Sequence, residues 1–176
     1  SIKITKKIPQ KSGLGGGSMN AATLLKYFIK KKKFNLKNNK LMNLCNKIGS
    51  DVALGLSQKV TLLKSDGSLT RINKKLPFHL ILIRPNFGCK TSFIFKGVKN
   101  FSKKKIYKKK KFDLKNLKNL KNLSNDLEIV SYRKYPVLTK IKDSLLTLKN
   151  VSFVRMSGSG STLVGYFKTR KDALDG

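Results

Sequence analysis

Apolar residues recur at helical spacing at Ala21, Ala22, Leu24, Leu25, Phe28 and Ile29. They follow Ser18, whose hydroxyl suits a helix N-cap, and the pattern predicts a helix from that point. Upstream, Ile2-Lys3-Ile4 alternates as an edge strand would, and Pro9 closes it before a glycine cluster. The order is therefore strand, glycine loop, helix. A second helix is predicted over 36–48, with Leu41, Leu44, Cys45 and Ile48 on one face, Gly49 as its stop and Asp51 directly after. Two short apolar runs, 60–63 and 69–72, flank Ser65-Asp66-Gly67-Ser68 and read as a hairpin. Residues 78–83 read as a buried strand. A helix over 137–148, a strand over 151–155, a Gly-Ser loop, a strand over 162–167 and the start of a last helix complete the pattern. Between these halves the stretch 96–111 is dominated by lysine. Leucines then fall at every third residue over 114–123, a spacing that drifts around a 3.6-residue helix. The whole of about 96–123 reads as a solvated insertion.

Composition narrows the class. The 176 residues are 39% hydrophobic, enough for one or two folded domains. Apolar runs such as 80–83 fall far short of the roughly 20 residues that span a bilayer, so no membrane partner is expected. Cys45 and Cys89 form no disulfide framework and no signal-peptide core opens the chain, which points to a reducing, cytoplasmic setting. Forty Lys+Arg against eight Asp+Glu give a net charge of +32, an electrostatic footprint that nucleic acid would match. Five of the forty are arginine, however, and the lysines come with abundant asparagine, isoleucine and phenylalanine. That is the profile of an AT-rich genome filling tolerant surface positions, and no specific nucleic-acid partner is expected from it.

The candidate chemistry lies in the segment Pro9-Gln10-Lys11-Ser12-Gly13-Leu14-Gly15-Gly16-Gly17-Ser18-Met19-Asn20-Ala21-Ala22. Glycines ahead of a helix let backbone approach an anion closely, and the helix start offers unpaired N–H groups at the positive end of the dipole. A triphosphate suits such a loop. The segment is neither a Walker A loop nor the usual dinucleotide fingerprint. His79, embedded in an apolar strand, reads as a core histidine, and the two cysteines as packing residues. No cysteine/histidine cluster has metal-ligand spacing, so no protein-held metal is expected.

The run Gly-Leu-Gly-Gly-Gly-Ser-x-Asn-Ala-Ala after a proline resembles the phosphate loop of the GHMP kinases. Ile48-Gly49-Ser50-Asp51-Val52, Asn125-Asp126-Leu127-Glu128 and Met156-Ser157-Gly158-Ser159-Gly160-Ser161 agree with it in order. The resemblance implies ATP, with Mg2+, bound through Pro9, Gly13, Leu14, Gly15, Gly16, Gly17, Ser18 and Asn20. Taken alone, Asp51 is a helix cap or turn residue; the resemblance makes it the catalytic base. Within 84–95 it makes Thr91 an active-site threonine and Phe95 a cytosine-stacking aromatic, although the run Phe93-Ile94-Phe95 fits a core position equally. Gly158, Ser159 and Gly160, which could form an ordinary hairpin, become substrate-side residues. The fold implied is α+β and two-domain: a ribosomal-protein-S5-like amino-terminal domain, incomplete here, over 1–76, and a ferredoxin-like carboxy-terminal domain over 77–176.

The triple glycine is similar to one branch of the family. Its members phosphorylate, with ATP, the 2-hydroxyl of a cytidyl diphosphate sugar-alcohol, a small molecule of the non-mevalonate isoprenoid route. Two rivals stand beside this expectation. One is a homoserine or mevalonate type of GHMP kinase, whose loop more often reads Gly-Ser-Ser; the other is a nucleic-acid-binding protein driven by the lysine surplus. The family's opening Pro-Ala-Lys-[Leu/Ile]-Asn segment has no match here, so a fragment is expected. Met19 stands where a second serine is common.

Overall fold

Helices that carry small residues on their inner faces can approach their neighbours closely, and α1 (Gly16–Lys31) does so in the computed structural model of the chain. A Cβ on Gly55 would lie 2.6 Å from Ala22 Cβ, so this contact between α1 and the 3-10 helix Val52–Leu56 needs glycine. Ala22, Cys45, Val52 and Ala53 form the buried centre, with Leu25, Leu41, Met42, Leu56 and Leu69 packed around it. The structure describes residues 2–31, 34, 36–64, 66–73, 75–102, 113 and 115–176. They divide into one unit of Gly15–Lys75 and a second of Ser1–Leu14 with Leu76–Gly176. The expected boundary near residue 76 assigned 1–14 to the first part. In the structure the backbone of 11–13 pairs with residues 89, 157 and 162, which groups it with the second.

In the first unit α2 (Asn38–Ile48) ends where the sequence places its stop, Gly49 N–H donating to Cys45 O at 2.9 Å. Strands β1 (Val60–Leu63) and β2 (Leu69–Ile72) pair antiparallel from Val60↔Ile72 to Leu63↔Leu69. Their turn uses Asp-Gly chemistry: Gly67 has φ +79°, and Ser68 N–H donates to Asp66 Oδ1 at 2.8 Å. Helix α1 begins at Gly16, ahead of the predicted start, so Ser18 lies in its first turn instead of capping it.

The second unit contains β3 (His79–Ile83), α3 (Thr91–Gly97), α4 (Leu117–Lys121), α5 (Leu127–Lys134), α6 (Val137–Leu146), β4 (Phe153–Met156), β5 (Leu163–Phe167) and α7 (Arg170–Asp175). The sheet order is β3-β5-β4, antiparallel throughout. Central β5 is buried along almost its whole length, and its inner face shares a core with Ile94, Leu127, Leu138 and Leu145.

Four expectations are corrected. Strand β3 is an edge, with Leu80 and Leu82 about half exposed, and is not the buried strand predicted for 78–83; His79 is likewise exposed and not a core histidine. Apolar content alone does not distinguish an edge from a centre. Residues 2–4 form no strand, because no partner among the described residues supplies a ladder for them. Within the stretch read as a solvated insertion, α4 is ordered: Asn116 Oδ1 accepts Lys118 N–H at 2.9 Å, and Leu117 is buried. The Arg155 guanidinium donates to the carbonyls of Leu120 (2.8 Å), Lys121 (3.2 Å) and Leu123. Residues 103–112 and 114 of that stretch, and Ser65 of the hairpin, lie outside the described residues. No helix among the described residues is long and apolar enough to cross a membrane.

The edge assignment predicts unequal costs for shortening two leucines. Leu145→Ala, at a fully buried site, should cost about 2–5 kcal/mol, whereas Leu80→Ala should cost roughly 1 kcal/mol or less. Urea unfolding of both variants with unchanged m-values checks this; equal losses would mean that β3 is covered on both faces.

Candidate active site

The turn between β4 and β5 depends on glycine at two positions. Gly158 and Gly160 have φ of +52° and +83°, conformations that other residues rarely adopt. The turn closes on itself through Gly160 N–H to Ser157 O (2.9 Å) and Ser157 N–H to Thr162 O (2.9 Å). Gly13 sits directly against it: a Cβ there would lie 2.1 Å from Ser157 O and 2.9 Å from Gly160 O. The opening of the glycine segment is then fastened residue by residue. Cys89 N–H donates to Lys11 O (2.9 Å), Thr162 N–H to Ser12 O (3.0 Å) and the Ser157 hydroxyl to Gly13 O (2.8 Å). Gly88 allows the same approach from the other side, where a Cβ would meet Lys11 Cβ at 2.6 Å.

This assembly brings together several of the predicted site residues. Thr91, at the start of α3, shares a hydrogen bond of 3.0 Å between its Oγ1 and Ser159 Oγ. Ser159 is buried, and its carbonyl accepts from the Ser131 hydroxyl at 3.2 Å. Gly13, Thr91, Gly158, Ser159 and Gly160 therefore share one neighbourhood. Phe95 lies one helical turn after Thr91 on the same face of α3. It is about half exposed while Ile94 supplies the buried contact, so Phe95 is not a core residue. Pro9 is exposed ahead of the fastened segment, and Leu14 is its last residue in this unit. Sequence reasoning missed Ser131, which carries no motif, and gave no role to Ser157 or Gly88 within the motifs it quoted. It quoted Asn125 without a role, although the Asn125 amide donates to the carbonyls of Met156 (3.0 Å) and Gly158 (2.7 Å).

The unit Gly15–Lys75 holds the remaining candidates. Gly15 has φ +66°, and the first helical bond of α1 runs from Met19 N–H to Gly15 O at 2.9 Å. The N–H groups of Gly16, Gly17 and Ser18 therefore have no partner within the helix and face outward at its positive end, with Asn20 one turn further on. Met19 packs on the 3-10 helix, its Sδ and Cε each 3.0 Å from where a Gly55 Cβ would be, a contact that suits an apolar residue in place of the second serine. Asp51 stands at the N-cap position of that same 3-10 helix but makes no side-chain capping bond. Among the described residues its carboxylate accepts only a long bond, 3.3 Å, from the neighbouring Ser50 hydroxyl, and it is exposed. Packing of α1 on the helix that Asp51 opens places a free carboxylate and a set of free amides in one folded unit. Among the described residues no group of three or more histidine, cysteine, aspartate or glutamate side chains could hold a metal ion.

Residues 1–59 match the family model of the GHMP kinases N terminal domain, and 103–175 match that of the GHMP kinases C terminal. The chain is 49% identical over 172 residues to 4-diphosphocytidyl-2-C-methyl-D-erythritol kinase of Pelagibacter ubique, covering 97% of this chain and 60% of that protein. It is 33% identical over 174 residues to the protein of the same name from Pelobacter propionicus, covering 98% and 62%. A crystal structure of 4-(cytidine 5'-diphospho)-2C-methyl-D-erythritol kinase superposes with a TM-score of 0.68 at 23% identity, over 96% of this chain and 62% of that one. The fold is thus shared: α+β, with elements of both GHMP kinase domains. The chain spans about three fifths of the length of these relatives.

Two predictions follow from the packing of the loops. Gly13→Ala should destabilise the chain well beyond Gly15→Ala. Both carry the roughly 1–3 kcal/mol cost of a left-handed backbone, but only the first drives a methyl group into backbone atoms; thermal melts compare them. Burial pushes the Cys89 thiol up from its ordinary value of 9.0 to about 11. Its contribution to folding is complete below pH 9.0 and is lost as pH rises through about 11. Stability measured from pH 8 to 11 should show that alkaline decline, and Cys89→Ala should flatten it.

Proposed function

Because this chain belongs to the GHMP kinases, we propose that it forms part of an ATP-dependent kinase that phosphorylates the 2-hydroxyl of 4-diphosphocytidyl-2-C-methyl-D-erythritol. The single observation that carries the reading is in the unit Gly15–Lys75. The unpartnered amides of Gly16, Gly17 and Ser18 and the uncapped carboxylate of Asp51 belong to two helices packed on each other. Amides at a helix start bind phosphate without needing a basic side chain. A carboxylate that caps nothing is free to orient a hydroxyl and take its proton as the phosphoryl group transfers.

In this reading Gly13, Leu14, Gly15, Gly16, Gly17, Ser18 and Asn20 hold the nucleotide phosphates, with Pro9 shaping the approach. Asp51 is the base. Thr91 is the active-site threonine, its hydroxyl held by its bond to Ser159. Gly158, Ser159 and Gly160 line the acceptor side, and the exposed ring of Phe95 stacks on cytosine. A magnesium ion bound with the nucleotide would neutralise phosphate charge; the described residues supply no carboxylate cluster of their own for it. The homoserine and mevalonate readings are not favoured, since both relatives described carry the cytidyl substrate in their name at 49% and 33% identity. The setting proposed is the cytoplasm.

Asp51→Asn tests the assignment in the full-length protein carrying this chain. It keeps the size of the side chain and removes its basicity. Turnover, followed as ADP release dependent on the cytidyl substrate, should fall roughly 10²- to 10⁴-fold while the KM for ATP changes little. Near-normal turnover would make Asp51 a turn residue only.

A further inference from the structure

The segment Asn125-Asp126-Leu127-Glu128 matches the family's order yet has no part in the chemistry described above. In the structure each of its four side chains has a separate anchoring task. Leu127 is buried in the core of its unit. Asp126 stands at the N-cap position of α5 but leaves the helix uncapped and accepts instead from Ser102, whose N–H donates to Oδ2 at 2.7 Å and whose hydroxyl donates to Oδ1. Glu128 accepts from Met156 N–H through Oε1 (2.7 Å) and pairs with Lys142 through Oε2 (3.2 Å). Asn125 uses its whole amide: Nδ2 donates to Met156 O and Gly158 O, and Oδ1 accepts from Leu127 N–H at 3.0 Å.

Met156, the last residue of β4, therefore has both its N–H and its C=O held by side chains from the start of α5. Gly158, two residues on, is held by the same asparagine. A turn with two glycines at positive φ has many accessible backbone states, and its internal backbone bonds, Gly160 N–H to Ser157 O and Ser157 N–H to Thr162 O, do not tie it to the rest of the unit. External donors select one of those states. The selected state puts Ser159 Oγ at 3.0 Å from Thr91 Oγ1 and the turn's carbonyls against Gly13. We propose that Asn125 is a positioning residue: its side-chain amide fixes the conformation of the 156–160 turn and, through it, the Thr91–Ser159 hydroxyl pair at the acceptor side of the reaction. The catalytic half of this proposal rests on the kinase reading given above.

Asparagine is needed for the task, because two donors and one acceptor must act at once from a short side chain. Asn125→Asp keeps the acceptor for Leu127 N–H and loses both donations, setting a carboxylate against two carbonyl oxygens. In the full-length protein the amides of 157–161 should then exchange hydrogen at least about tenfold faster. The kcat should fall roughly 10- to 100-fold with the KM for ATP within about twofold, as expected for misplaced rather than missing groups. Glu128→Gln retains an acceptor for Met156 N–H and should leave exchange in the turn unchanged. Should Asn125→Asp fail to fold, Ser131→Ala removes only the hydroxyl on Ser159 O and should act in the same direction to a smaller degree. Unchanged exchange in the turn, or a kcat within about twofold of wild type in a variant whose turn is loosened, overturns the proposal. A wild-type protein without turnover overturns the kinase reading instead and takes the catalytic half with it, while the exchange experiment still decides whether Asn125 holds the turn.

Discussion

The unit that joins the amino-terminal segment to Leu76–Gly176 depends on one steric fact: at Gly13 there is no room for a side chain. A Cβ would stand 2.1 Å from Ser157 O, well inside any contact a real carbon makes, so the approach of these backbones exists only because the residue is glycine. That approach lets the Ser157 hydroxyl reach Gly13 O and Thr162 N–H reach Ser12 O. It also makes a loop that sequence alone would call flexible into a fixed surface of the sheet unit. The neighbouring glycine at 15, with open space around it, carries no such constraint. Two glycines two residues apart thus serve different ends, one permitting contact and the other a change of direction.

Fixing a loop with backbone bonds places polar atoms in a low-dielectric interior, where an unmade bond costs about 1–3 kcal/mol. The buried side chains here include Ser12, Ser131, Ser159, Ser161 and Thr162. Ser131 meets Ser159 O, Ser159 meets Thr91, and Ser161 donates to Phe87 O at 2.5 Å, so most of that liability is offset by bonds within the same cluster. Thr162 Oγ1 is buried without a partner among the described residues. The apolar core of Ile94, Leu138, Leu145 and Leu163 lies beside this cluster and supplies the stability from which such exceptions are tolerated. Hydroxyls held in this way are pre-oriented, which is what a reaction that depends on placing a nucleophile requires.

Much of this was legible in the chain before the structure. Period and punctuation located α2 and its Gly49 stop, the Asp-Gly hairpin, α6, and the strands around the Gly-Ser turn. What failed shares a cause. The apolar run 78–83 announces a strand but not its place in the sheet, since edge or centre is set by distant β5 and β4. The leucines of 114–123 have no helical period because one turn of helix is held there by Arg155, an arginine more than thirty residues away. Of the candidate site, the glycines and Thr91 were singled out by motif. Ser131 and the bonds of Asn125 were not, because a serine on a helix or an asparagine before one carries no signal of the carbonyl it will meet across the fold.

Charge acts at a different range from these contacts. Among the described residues there is one ion pair, Lys142–Glu128, in a chain of net charge +32, so the lysine surplus is mostly solvated and contributes a long-range field more than local structure. Several of the eight acidic residues are committed close at hand: Asp66 to Ser68, Asp126 to Ser102, Asp172 to Thr169 and Asn150. Hydrogen bonds from those partners hold all three carboxyls below the usual aspartate range. A cationic field of this kind attracts polyanions and hastens their arrival, an effect that fades as salt screens it within about 10 Å. It cannot place them. Placing a ligand takes neutral groups with fixed directions, such as the amides at the start of α1 in one unit or the hydroxyls of Thr91 and Ser159 in the other, which salt does not screen at contact distance. A change on the lysine-rich surface therefore alters the field alone, whereas a side chain at Gly13 alters the packing of the backbone itself.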